Sequence, residues 1–490
     1  MAAKILIVLP YSGAQFTGGL AVVNEQLTKA LAERHDVKLL TYELNERARA
    51  TQPGHGRAQI LVIQSEETKS MKDPGGRDGE KDRKRLYELI NSREIILGNQ
   101  VVKLLGNWSP DYILGHSRFS GPAAILLKME RFKKAKVGYF LHSYPPVEGM
   151  LLSGYEAFEE PVNVESSKKK LEEETGWIYQ ADVVLAMGPL MRWGATLMLE
   201  SKGVQQPRVH EVISGVTPCD GFHRPPDKNA GVTLLLSGRA SAPVKGFQDI
   251  VVAALQLRNA DREKKVLKFP VCIKVRGMNE VKFPSYSDRK NEPHEERTVS
   301  SHTVQEWTNG VFGESLKGDR VSIEVLDMVP QEKVLDEYRS AHGVLTAAYL
   351  EHFGLVPFEA LGTGRPVLVS ELSGSGQFLT SRYDKLGKEC VVEDFIPSRP
   401  RPLTNAVLKS VSVNAFDNRP NAWEQAIREL VNNIDARIDN ANKLKKRLTD
   451  DYTIANFAQS ITAAFAKDWD GRITRQIAGG KVEEVPKTEQ

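Results

Sequence analysis

Short apolar runs separated by longer amphipathic stretches set the rhythm of this chain. Runs suited to strands occupy residues 4–9, 37–41, 59–62, 112–115, 137–141, 183–186 and 209–213. A second series follows at 232–237, 271–275, 321–326, 343–346 and 366–369. Runs that are apolar throughout are buried on both faces, and their alternation with helical patterns makes the sheets parallel. The pattern predicts an α/β protein of two doubly wound, Rossmann-like halves. The break falls at TPCDGFHRPP, residues 217–226, rich in Pro, Gly and Asp and without periodicity.

The predicted organisation is therefore an N-terminal domain over 1–217, a C-terminal domain over 222–450 and a flexible tail over 479–490. A helical pattern over 451–469, with Ile454, Phe457, Ile461, Ala464 and Phe465 on one face, predicts a further helix at about 451–470. Two polar segments, 65–83 and 284–320, read as insertions or long loops, the second with a helical stretch around 304–307 at best.

Composition narrows the class without naming a function. The 490 residues are 41% hydrophobic and 26% charged with a net charge of +3, a globular balance that calls for no nucleic acid. Cys219, Cys272 and Cys390 lie far apart, which reads as a reduced, cytoplasmic protein without a thiolate metal site. The opening ILIVL run is too short for a signal peptide and reads as a first strand. Lys128, Arg131, Lys133, Lys134 and Lys136 form a basic cluster with two readings, contact with anionic lipid or a solvated helix face, and the second is preferred.

Ligands of open parallel sheets bind beyond the carboxyl ends of the strands, so the residues after each run carry the chemistry. Gly18 and Gly19 follow the first strand and let backbone approach an anion at a helix start, though the spacing is not GxGxxG. His116 and His142 each follow a strand, and each also reads as a structural hydrogen-bonding histidine. Gly238 and Arg239 follow the run at 232–237, with Lys245 beyond, and two cations flanking such a loop suit a diphosphate. After the run at 343–346 comes EHFGLVPFEALGTGRPV, with Glu351 on the loop and Glu359 in a helix predicted to start near Leu355 and stop at the Gly362/Gly364 pair. Phe353, Gly354 and Leu355 would offer backbone N–H groups there. The two acids can hold hydroxyls at both ends of a nucleotide sugar.

The stretch from Glu351 to Glu359 resembles the E-x7-E signature of retaining glycosyltransferases of the GT-B fold, in particular glycosyltransferase family 4, the "glycosyl transferases group 1" proteins. Gly18-Gly19, His142, the segment Ile213-Ser-Gly-Val216 and the Arg239/Lys245 pair fall in the order such proteins have them. Three features depart from the pattern. Arg239 and Lys245 are six apart, Ser214 and Thr217 stand where Asn and Asp are usual, and Ser373-Gly-Ser-Gly376-Gln377 lacks the usual acid.

The resemblance implies two Rossmann-like domains facing across a cleft. The first would bind the acceptor and be completed by the helix at about 451–470; the second would bind the nucleotide sugar. It implies transfer of a hexose-type sugar from a nucleoside-diphosphate donor to an unidentified acceptor, with retention and without metal or other cofactor. His142, Arg239, Lys245 and Glu351 would be catalytic; Gly18, Gly19, Gly238, Phe353, Gly354, Leu355 and Glu359 would bind the donor. The alternatives are a non-catalytic GT-B protein that binds nucleotides or glycans, and a glycoside hydrolase using Glu351 and Glu359.

Overall fold

The computed structural model describes residues 2–10, 19–42, 57–65, 68, 80–142, 144, 164–205, 208–216, 227–237, 245–276, 280–283, 297–300, 319–326, 331–348, 351–394, 419–466 and 472–485. The chain divides into two compact units. Unit 1 comprises Met1–Pro145, Lys168–Val216 and Asp450–Gln490; unit 2 comprises Pro146–Ser167 and Thr217–Thr449.

Unit 1 is built on a nine-stranded sheet. Its strands are β1 (Lys4–Val8), β2 (Asp36–Tyr42), β3 (Gln59–Ile63), β4 (Tyr112–His116), β5 (Lys136–Leu141), β6 (Val183–Met187) and β7 (Val209–Val212). Unit 2 contributes β8 (Val232–Leu236), β9 (Val271–Arg276), β10 (Glu280–Phe283), β11 (Arg297–Ser300), β12 (Val321–Leu326), β13 (Gly343–Thr346), β14 (Val367–Ser370) and β15 (Val391–Val392). The chain then returns to unit 1 with β16 (Ile473–Gln476) and β17 (Val482–Glu484).

The order in unit 1 is β17-β16-β7-β6-β5-β4-β1-β2-β3, parallel except for the antiparallel β16–β17 pair. In unit 2 the order is β12-β9-β8-β13-β14-β15, parallel throughout, with β10–β11 as a separate antiparallel hairpin. Both sheets reverse direction of strand addition once, between β1 and β4 and between β8 and β13. Such a switch point opens a crevice where a ligand fits.

The strands are apolar because helices cover both faces. Ile5, Leu6, Ile7 and Val8 of β1 are buried, as are Val183–Met187 of β6. The helix Ile454–Ala466 starts at Thr453, whose Oγ1 accepts from Asn456 N at 3.0 Å. It packs within unit 1, with Phe457 edge-on to Phe140 at 6.4 Å between ring centroids and Phe465 stacked on Tyr112 at 4.4 Å.

Three segments differ from the sequence expectation. Glu80–Arg83, assigned to a polar loop, opens the helix Glu80–Ile90. Arg297–Ser300, placed in the second polar segment, is strand β11. Val482–Glu484, assigned to a flexible tail, is the edge strand β17, held by pairs such as Gln476 with Val482. The helical stretch at 304–307 and the linker at 217–226 lie outside the described residues.

Candidate active site

In unit 2 the chain leaves β13 through the buried Ala347 and Ala348. Phe353 fixes the loop beyond by stacking on Phe358 at 4.7 Å and meeting Phe378 at 6.1 Å. Gly354 turns the backbone at φ +79°, and Leu355 caps the helix Val356–Gly362, its carbonyl accepting from Phe358 N and Glu359 N at 2.9 Å each. The helix has Pro357 in its first turn and ends before Gly364 at φ +78°, the start and stop that the sequence signals predict. Both acids take their predicted places, Glu351 on the loop and Glu359 in the helix.

The segment Ser373–Gln377 supports this loop. It is the first turn of the helix Gly374–Lys388, capped by Ser373 Oγ, which accepts from Gly376 N at 3.0 Å. Gly374 N donates to Glu351 O at 2.8 Å. A Cβ on Gly374 would fall 1.9 Å from His352 O, so only glycine permits this approach.

Lys245 stands just before Gly246, which caps the helix Phe247–Lys264 that follows β8. The Gly246 backbone touches that of Ala347: a Cβ there would lie 2.0 Å from Ala347 O. This contact brings the two loops together at the switch point. Lys245 Nζ is ion-paired with Glu351 Oε2, both side chains about two-thirds buried. Gly238 and Arg239 lie outside the described residues.

Glu359 is held from the same direction. Tyr338 OH donates to Glu359 Oε2 at 3.4 Å and shares a 3.0 Å hydrogen bond with Ser237 Oγ at the end of β8. Burial, then the Glu359 charge, push the Tyr338 hydroxyl well above its ordinary value, so it remains a donor. Neither Tyr338 nor Ser237 was marked by sequence. Tyr338 lies buried in the helix Gln331–Ser340, just ahead of β13.

In unit 1, Gly19 opens the helix Gly19–Ala32, while Gly18 lies outside the described residues. His142 follows β5. Its backbone N donates to Ser117 Oγ at 3.1 Å, and its Nε2 lies 2.9 Å from Nδ1 of the fully buried His116. Behind this turn, Tyr139 OH donates to Glu174 Oε1 at 3.0 Å. Burial raises the Glu174 carboxyl to about 7, opposed by the Tyr139 hydrogen bond, the Arg118 charge and the Ser117 hydroxyl.

The sequence-predicted residues thus form two groups, Gly19 and His142 in unit 1 and Lys245, Glu351, Phe353–Leu355 and Glu359 in unit 2. Of the basic cluster, Lys128 pairs with Asp182 at 2.6 Å and Lys136 donates to Phe465 O at 3.2 Å. Among the described residues no helix is long and apolar enough to cross a membrane, and no group of three or more His, Cys, Asp or Glu is placed to hold a metal ion.

Comparison with solved structures finds the same architecture. A sucrose-phosphate synthase from Thermosynechococcus elongatus is 16% identical with a TM-score of 0.59, the match covering 95% of this chain and 98% of that one. A UDP-forming α,α-trehalose-phosphate synthase from Burkholderia xenovorans is 14% identical at a TM-score of 0.58, covering 95% and 99%. HepE from Anabaena, in complex with UDP and glucose, is 13% identical at 0.56, again covering 95% and 99%. These likenesses, with two Rossmann-like units of parallel sheet, establish the GT-B fold. Sequence comparison with curated proteins yields no match. The family model described as "Family 4 Glycosyltransferase in conflict systems" matches residues 12–461, and the chain belongs to that family of glycosyltransferases.

Proposed function

We propose that this glycosyltransferase moves a hexose-type sugar from a nucleoside-diphosphate donor to an acceptor, with retention at the anomeric carbon and without a metal. The observation that carries the reading is the meeting of Lys245 and Glu351 at the carboxyl end of the unit 2 sheet. A cation and an acid at that point suit a donor with an anionic diphosphate at one end and sugar hydroxyls at the other.

In this reading Lys245 and Arg239 oppose the charge that develops on the departing diphosphate. Gly238 and the Phe353–Leu355 backbone line the phosphates, and Glu359, steadied by Tyr338, accepts from the ribose hydroxyls. Glu351, once released by Lys245, accepts from sugar hydroxyls. The bond from the anomeric carbon to the phosphate oxygen breaks, and the acceptor oxygen bonds to that carbon on the same face. The acceptor proton passes to the departing phosphate. Unit 1 takes the acceptor, Gly18 and Gly19 serve the donor, and His142 contacts the reacting sugar. A cytoplasmic location is part of this reading, supported by three cysteines spread far apart along the chain.

The Burkholderia enzyme is UDP-forming and HepE holds UDP, so UDP is the first nucleotide to test. Calorimetric titration of UDP, GDP, ADP and dTDP into the wild-type chain is expected to give selective binding of one of them. Glu359→Ala should weaken it by about tenfold or more, as loss of a hydrogen bond to a charged group does. Absence of binding by all four would overturn the donor-site reading. The hydrolase alternative gains nothing from the geometry, since each acid has a separate partner, Lys245 for Glu351 and Tyr338 for Glu359.

A further inference from the structure

His116 and His142 end neighbouring strands of unit 1, and their rings meet. His116 Nδ1 lies 2.9 Å from His142 Nε2. A contact this short between two imidazole nitrogens holds one proton, supplied by one ring or the other.

His116 is fully buried, stacked on Phe140 with ring centroids 4.6 Å apart. Burial, and then the neighbouring His142, hold its ring far below the ordinary imidazole value, so it is neutral and has a single N–H. Its Nε2 is buried and finds no hydrogen-bond partner among the described residues. If His142 supplied the shared proton, His116 would carry its own on Nε2, as a buried N–H donating to nothing. If His116 supplies it, only a lone pair is left at Nε2. Orphaned buried N–H groups are rarer than under-satisfied acceptors, so His116 is the donor. His142 then accepts at Nε2, and its neutral ring carries the proton on Nδ1.

A second contact comes from the same turn. Ser117, directly after His116, sits at φ +38°, a strained conformation for a residue with a side chain, and its Oγ receives the backbone N–H of His142 at 3.1 Å. Backbone and ring of His142 are thus both fixed from the end of β4.

We infer that His116 is a positioning residue that sets the orientation and tautomer of His142, keeping the proton on His142 Nδ1. The consequence for sugar transfer rests on the reading of His142 given above. Any partner that meets Nδ1 finds an N–H and not a lone pair, so His142 donates a hydrogen bond and does not serve as a general base there.

The test is imidazole proton–nitrogen correlation NMR on the full chain with isotopically labelled histidine, His142→Ala identifying the signals. The wild type is expected to hold His142 as the Nδ1–H tautomer. His116→Asn, which keeps an N–H near the Nδ1 position, should preserve it. His116→Phe, which keeps the stacking but removes the donor, should shift it towards the Nε2–H form that dominates in free neutral histidine. An Nε2–H signal in the wild type, or an unchanged tautomer in folded His116→Phe, overturns the inference. The wild-type spectrum decides even where a variant does not fold.

In turnover of the nucleotide sugar, His116→Phe should lower kcat about 10- to 100-fold at unchanged donor affinity, with rescue by His116→Asn. Equal loss in both variants reduces His116 to a packing role and overturns the inference. A wild-type chain that binds no nucleotide overturns the proposed function instead, while the tautomer still decides the role of His116.

Discussion

Lys245 Nζ pairs with Glu351 Oε2, joining the loops that follow β8 and β13. With side chains 26% and 32% exposed, the pair adds little to stability. Its effect falls on binding, because an incoming diphosphate must draw Lys245 away from Glu351. Glu351→Gln removes the competitor and is expected to raise nucleoside-diphosphate affinity about three- to tenfold while turnover falls. Lys245→Ala should lower that affinity about tenfold and leave nucleoside binding unchanged. Calorimetry on the three proteins decides, and equal affinities would remove the pair from the donor site.

Tyr338 couples Glu359 to Ser237. Tyr338→Phe keeps the buried ring and removes only the hydroxyl. Nucleotide affinity is expected to drop by roughly 0.5–1.5 kcal/mol, and stability by a similar amount as Ser237 loses its partner. Titration paired with chemical denaturation reads both. Unchanged affinity with reduced stability would confine Tyr338 to the fold.

Gly374→Ala places a methyl group against His352 O, where a Cβ has 1.9 Å. The helix or the loop must shift, at a cost of about 1–3 kcal/mol. Because Gly374 N also holds Glu351 O, nucleotide binding should weaken along with stability. A variant as stable and as tight-binding as wild type would refute the close contact.

The Glu174 carboxyl, raised by burial to about 7, gives a signed pH dependence. An acid whose folded value exceeds its unfolded one of 4.5 keeps its proton longer in the folded state. Its contribution is complete below the unfolded value and is lost as pH rises towards 7, by roughly 3 kcal/mol in all. His210, lowered by burial to about 3, acts with the opposite sign, since stability is lost as pH falls below 6.5. His116, held far below its ordinary value by burial, acts in the same direction as His210, so the wild-type profile alone mixes these contributions. The difference between wild type and Glu174→Gln isolates the acid: the variant's relative stability should grow from pH 5 to pH 7.5 in denaturant titrations. A difference independent of pH would mean that Glu174 is ionised throughout.

The parallel strands are legible in the sequence because burial on both faces leaves continuous apolar runs, as in ILIV of β1 and VVLAM of β6. The helix carrying Glu359 is legible too, since Pro357 and the Gly362/Gly364 pair punctuate its ends. Strand β16 is not, because two of its buried side chains are polar. Thr474 bonds His210 at 3.0 Å and Gln476 Oε1 accepts from Ile213 N at 3.1 Å, which hydropathy cannot register. Site residues next to a single motif could be read, whereas those created by strand order could not. Tyr338 meets Ser237 only because β13 lies beside β8. His116 meets His142 only because β4 pairs with β5 in the register that sets His116 opposite Phe140.

The return of the chain to unit 1 orders events during synthesis. Unit 2 is almost entirely one continuous stretch, Thr217–Thr449, whereas the helix Ile454–Ala466 and strands β16 and β17 that finish unit 1 are translated after it. As the polypeptide leaves the ribosome, the second unit can therefore consolidate while the first still exposes the flank of β7 and the apolar surface that Phe457 and Phe465 later cover. The first unit is completed only once the residues after unit 2, Asp450–Gln490, have been made, so a nonsense codon near position 450 would leave it without its closing helix and strands.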